Sequence, residues 1–140
     1  PDFTAAAGDV ALTLELVELL DWKTVKKARS LAERDPRQAW QVQQWTQDRY
    51  VKAIRSLIAG KERAYAGEKP FDILLIYTDE TWLAPSDMQR WKGRLGPLSI
   101  TQFRAVYVMG SYVPGQPHYP LDLVAGCTVK ELMQERRAER

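Results

Sequence analysis

The sequence predicts an α/β domain in which a mixed β-sheet is flanked by helices, and three features carry that expectation. Residues 9–20 (DVALTLELVELL) alternate in polarity, residues 73–77 form an unbroken apolar run, and between them Asp35-Pro36 opens a long amphipathic segment. Strands of two kinds separated by helical segments indicate a layered α/β or α+β sandwich. At 140 residues the chain is long enough for one real core. No repeat, low-complexity tract or flexible linker divides it, so residues 1–140 are expected to form a single domain.

The elements follow in order. In 9–20, Leu12, Leu14 and Leu16 fall on one side and Thr13, Glu15 and Val17 on the other. Period-two alternation favours a strand, although the helix-forming Leu, Glu and Ala leave a helix as the alternative. Pro1-Asp2-Phe3 would lead into an antiparallel neighbour. Asp35 can cap a helix, Pro36 suits its first turn and Gln38 sits where a capping-box partner belongs. That helix should run from about 36 to 59 with Val51, Ile54, Leu57 and Ile58 buried. Gly60 reads as a stop or kink, with a further turn through Tyr65 and a second stop at Gly67.

FDILLIYTDE (71–80) reads as a central strand covered on both faces, so Ile73, Leu74, Leu75 and Ile76 should all be almost fully buried. Ser86 with Gln89 caps a short helix at 87–94, ending near Gly96-Pro97. FRAVYVM (103–109) and the shorter LDLVA (121–125) are further strands. Thr128 with Glu131 caps a last helix at 129–139, whose end (ERRAER) should be solvated and frayed. The expected order is strand, strand, long helix, strand, helix, strand, strand, helix.

Composition narrows the function. Apolar residues at 45% and charged residues at 27% match a soluble globular protein. No window holds 18 uninterrupted apolar residues, and no basic stretch precedes an apolar one in the manner of a signal peptide. Cys127 stands alone, which excludes an internal disulfide and any cysteine-based zinc or iron–sulfur site, and suggests a reducing, cytoplasmic setting. One histidine, His118, cannot build a two-His site, so a hard, oxygen-ligated cation such as Mg²⁺ is the metal to expect. The chain opens on proline rather than Met, and we expect residues upstream.

Charge is sorted along the chain. Residues 1–22 carry Asp2, Asp9, Glu15, Glu18 and Asp21 and no cation. Residues 23–69 carry twelve Lys and Arg against five acids, about +7. Carboxylates followed by a cationic stretch suit a divalent cation held beside a phosphate polymer, although the net charge of +2 does not announce nucleic acid by itself. Arg49, Lys52 and Arg55 should lie on the exposed side of the long helix and contact phosphates.

Asp2 and Glu15 are the sharpest constellation. If the two strands are antiparallel neighbours, both carboxylates project from one end of the sheet and can share Mg²⁺ with the main-chain carbonyl of Leu16. A metal there would activate water and stabilise charge on a scissile phosphate. Acids at strand edges also face solvent with no function at all.

Pro1-Asp2, a gap, then Glu15-Leu16-Val17 on an apolar strand resembles the PD-(D/E)xK signature of restriction-endonuclease-like nucleases, including uncharacterised bacterial proteins regarded as endonucleases. The resemblance covers roughly residues 1–110, and its motif is short and degenerate. It implies a restriction-endonuclease-like mixed sheet whose N-terminal helix and first strand precede residue 1. It also implies Asp2 and Glu15 as metal ligands. The family lysine, which orients the nucleophilic water, falls at position 17, and that position is Val17. The lysine would then have migrated: Lys23 and Lys26 follow the strand closely, and Lys52 lies on the covering helix. Lys52 would also pair with Asp48 on a solvated face.

The resemblance leaves two readings: a Mg²⁺-dependent nuclease using Asp2, Glu15 and Lys52, and an inactive nuclease-fold module that binds nucleic acid or a protein. The group facing Glu15 separates them, since an ammonium supports catalysis and an apolar plug supports the module. Weaker signals remain. Gly60-Lys61 and Gly67 lack the G-x-x-x-x-G-K-[ST] phosphate-loop pattern. Trp40 and Trp45 among arginines and glutamines suit base stacking or, more commonly, packing. Tyr77, Asp79, Glu80 and Trp82 cluster after the central strand, where a turn is the commoner explanation.

Overall fold

The structure, a computed structural model, describes residues 3–20, 22–37, 45–80 and 83–140. Alternation builds β1 (Phe3–Ala7) and β2 (Val10–Glu18) into a hairpin, with Phe3 opposite Leu14 and Ala7 opposite Val10. Gly8 supplies the positive φ of +64° that its two-residue turn requires. The strand reading of 9–20 therefore holds over Val10–Glu18.

Next comes α1 (Trp22–Arg34), a helix that the sequence reading leaves unassigned. Its first turn carries no acid, and the sequence reading passes over Asp21, a capping residue type directly before it. The long helix, α2 (Gln47–Ala64), begins later than the expected position 36. Asp35 closes α1 instead: its N–H reaches Leu31 O at 2.8 Å, and its carboxylate accepts the Arg37 N–H at 3.1 Å. Thr46 is the cap of α2, accepting the Arg49 N–H at 3.3 Å. Gly60 does not stop this helix, because its backbone stays helical and the i→i−4 ladder continues to Ala64. The chain reverses at Gly67, where φ is +84°.

Then follow β3 (Phe71–Tyr77), α3 (Pro85–Trp91) with a 3₁₀ turn at Lys92–Arg94, β4 (Phe103–Met109), β5 (Leu121–Gly126) and α4 (Val129–Ala138). Pro85 opens α3 in place of the expected Ser86 cap, and Ala84 precedes it with no side-chain bond. Thr128 and Glu131 do form the reciprocal capping box of α4.

The five strands lie in the order β1-β2-β3-β4-β5, with β2, β3 and β4 parallel and both outer strands antiparallel to their neighbours. This is an α/β fold with a mixed sheet flanked by helices. One face packs Val17, Leu74, Ile76, Val106 and Val108 under α2 and α3, against Tyr50, Ile54, Ile58, Met88 and Trp91. The other packs Leu12, Ile73 and Ala105 under Leu132 of α4. In β3, Ile73, Leu74 and Ile76 are buried, but Leu75 is only half-buried. It lies on the α4 side, and the short α4 covers the Ile73 end of that face better than the Leu75 end.

The end of α4 is solvated, as expected, with Glu135, Arg137, Ala138, Glu139 and Arg140 exposed, but it carries ion pairs back to the sheet. Arg136 Nη2 sits 2.8 Å from Asp72, and Arg137 and Arg140 bond Asp9 of the β1–β2 turn. The expected fraying is thus opposed by three arginine anchors. Among the described residues, no helix is long and apolar enough to cross a membrane.

Candidate functional site

Glu15 occupies the middle of β2, opposite Leu74 of β3, with only 1% of its surface exposed. Alternation puts it on the side of Val17, beneath α2. A carboxylate buried there needs a compensating charge. Lys61 of α2 provides it, with Nζ 2.6 Å from Glu15 Oε1. The ammonium also lies 5.8 Å from the centre of the Tyr65 ring. Lys61 reaches inward because it continues the buried stripe of α2: Tyr50, Ile54 and Ile58 precede it at helical spacing. The helix places a cation where its own periodicity calls for an apolar side chain, and β2 places an anion in the same layer.

The lysine facing Glu15 is therefore Lys61. Lys52, the helix lysine singled out from the sequence, is exposed, about 14 Å further up the axis at 1.5 Å per residue. Lys26 is exposed on α1, and Val17 packs in the core. Leu16 is half-buried opposite Leu75. Asp2, Trp40 and Trp82 lie outside the described residues, as does the side chain of Lys23. Among the described residues no group of three His, Cys, Asp or Glu side chains could hold a metal ion.

The three expected phosphate contacts diverge. Lys52 is exposed. Arg49 is half-buried, its guanidinium 5.1 Å from the centre of the Trp45 ring, and Trp45 packs against the core beneath it. Arg55 is exposed but committed: Nη2 donates to Leu95 O at 2.7 Å and Nε donates to the same oxygen at 3.2 Å. It thereby satisfies the main chain after the 3₁₀ turn. Beyond Tyr77 the chain makes a turn, with the Glu80 N–H on Thr78 Oγ1 at 3.1 Å.

A second buried carboxylate escaped the sequence reading. Asp72 is 0% exposed at the start of β3. Its Oδ2 accepts the Thr13 N–H at 2.9 Å, and its Oδ1 accepts from Arg136 at 2.8 Å. Arg104 Nη1 is 3.8 Å from Oδ1 and also pairs with Glu135. This network joins β2, β3, β4 and α4, and its partners account for Asp72 as a clamp. An acid interrupting an otherwise apolar strand was the available signal.

No protein-family model, no characterised protein and no solved structure matches this chain.

Proposed function

We propose that the chain is a restriction-endonuclease-like domain that hydrolyses phosphodiester bonds of nucleic acid with Mg²⁺, using Glu15 and Lys61 as parts of its active site. The observation that carries this reading is the buried Glu15 with the Lys61 ammonium at 2.6 Å from its Oε1. The position expected to carry the family lysine is Val17, and Lys61 brings an ammonium to the same carboxylate from α2. The sheet order is compatible with such a core, with β1 and β2 as its hairpin and β3 as the parallel strand reached through helices.

The donor chemistry suits a hard cation. Glu15 offers a carboxylate and Leu16 a main-chain carbonyl, both oxygen ligands. The motif resemblance would add the Asp2 carboxylate as a further oxygen ligand. A Mg²⁺ bound there would activate water and neutralise charge on the phosphate. Lys61 would then donate to a non-bridging phosphate oxygen or hold the attacking water. Its flexible stem and three donors allow either role.

A second reading has its own support: Glu15 and Lys61 already satisfy each other in part, as a structural pair in a non-catalytic binding module would. A cleavage assay separates the two. Wild type and Glu15→Gln are incubated with Mg²⁺ and labelled single- and double-stranded DNA and RNA. The nuclease reading expects cleavage that EDTA abolishes and that Glu15→Gln loses by at least about a hundredfold. Binding at low salt survives Glu15→Gln, because the cationic surface is untouched. Binding without cleavage by wild type would leave the module as the better reading.

A further inference from the structure

A cleft of about 530 Å³ opens at the carboxyl-terminal ends of β3 and β4, between α3 and the 110–120 loop. That volume is ordinary for a small-molecule site. The sequence builds its walls stiffly. The loop is cinched where the Gly110 N–H meets Pro120 O at 2.9 Å, and a Cβ on Gly110 would stand 3.4 Å from Pro85 Cγ. Gly110 thus sits close against α3, and three prolines (85, 117 and 120) line the result.

The side chains facing the cleft combine a ring, amides and one carboxylate. Tyr119 is 55% exposed and packs edge-on against Tyr112, with ring centres 6.0 Å apart. Gln89, Gln116 and His118 line the cleft, and no hydrogen bond among the described residues engages their side chains. Asp122 adds an acceptor, with Lys92 Nζ 3.8 Å away. No Lys or Arg is among the described lining residues, and Lys92 approaches only from beside Asp122.

We propose that this cleft receives an unpaired nucleobase, stacked on Tyr119 and hydrogen-bonded along its edge by Gln89, Gln116 and Asp122. A base is flat and uncharged, and presents donors and acceptors together. Amide side chains match that pattern, and a carboxylate accepts from an exocyclic amine. A tyrosine face stacks on any base. Bases are accessible this way only when splayed from a helix, so the cleft selects single-stranded segments. The inference rests on nucleic acid being the partner, and it extends that reading to the substrate's strandedness.

The test is a ¹⁵N NMR titration of the whole chain with adenosine, cytidine, ribose and inorganic phosphate. Saturable shifts of the Gln89 and Gln116 side-chain amides and of His118 are expected with the nucleosides and not with ribose or phosphate. Gln89→Ala and Tyr119→Ala, both at exposed positions, should each weaken binding of a single-stranded oligonucleotide about tenfold and leave duplex binding unchanged. If either variant unfolds, Gln116→Ala replaces it. The proposal is overturned by nucleosides that produce no saturable shift, by phosphate that produces the same shifts, or by variants that bind single strands like wild type. The nucleoside arm needs neither Mg²⁺ nor cleavage, so failure of the nuclease reading leaves a distinct signature: bases bind and no phosphodiester is cut.

Discussion

Lys61→Met removes the ammonium that faces Glu15 and the Tyr65 ring and keeps most of the side-chain stem. Glu15 is 1% exposed, so the variant strands its carboxylate in a layer closed by α2 and β3. Breaking a fully buried pair costs about 3–5 kcal/mol. The Lys61 side chain is 27% exposed, and screening by solvent places the expected loss nearer about 2–3 kcal/mol. For a chain of this size, that corresponds to a fall in Tm of roughly 5–12 °C. Glu15→Gln alone leaves Lys61 free to turn outward and should cost less. The double variant Glu15→Gln/Lys61→Met should recover at least about 1 kcal/mol relative to the sum of the single changes. Urea unfolding at constant m-value measures all four proteins. A loss below about 0.5 kcal/mol for Lys61→Met, or strict additivity, would refute the idea that Lys61 compensates a buried charge.

Four further outcomes follow from the same structure. Leu74→Ala should cost about 2–5 kcal/mol in denaturant unfolding, and Leu75→Ala distinctly less, because only Leu74 is fully enclosed. Asp72→Asn should destabilise the chain and free the end of α4, seen as faster hydrogen exchange through Arg136, because the clamp on Thr13 and Arg136 is weakened. The Thr128 main-chain and side-chain hydrogen bonds hold the Glu131 carboxyl below its ordinary range. A depressed folded value means that the capping contribution is present above the unfolded value and is lost as pH falls through the folded one, so the protection of the Thr128 amide relative to its intrinsic exchange rate should fall in acid. In a salt titration of nucleic-acid binding, Lys52→Ala should lower the slope by about one unit, whereas Arg55→Ala should act first on stability, since its guanidinium serves the Leu95 carbonyl.

Much of the fold was legible because local patterns agreed with it. The apolar run in β3 and the Thr128–Glu131 box point one way, and in 10–18 the period-two alternation outweighed the helix alternative. The start of α2 was misplaced because Asp35-Pro36 does cap helical backbone, the 3₁₀ residues 36–37, whereas α2 itself starts at its own cap, Thr46, a weaker signal. Glu15 was legible as a candidate ligand, but its burial was not, because Thr13 and Glu15 mark their row of β2 as the polar one. Lys61 was not singled out as its partner, because pairing across 46 residues is a tertiary event. Its position in the buried stripe of α2 was the readable hint. Arg55 shows the converse limit, since an exposed cation on a helix looks the same in sequence whether it awaits a phosphate or already serves a carbonyl.

The most direct measurement is the single-turnover rate of Mg²⁺-dependent cleavage by wild type, Lys61→Met and Lys52→Ala, at a temperature where all three are folded. The account predicts cleavage by wild type, a fall of about 10²–10³ in Lys61→Met, and a chemical step unchanged in Lys52→Ala at saturating nucleic acid. No cleavage by wild type, or a Lys61→Met rate equal to that of wild type, would contradict it.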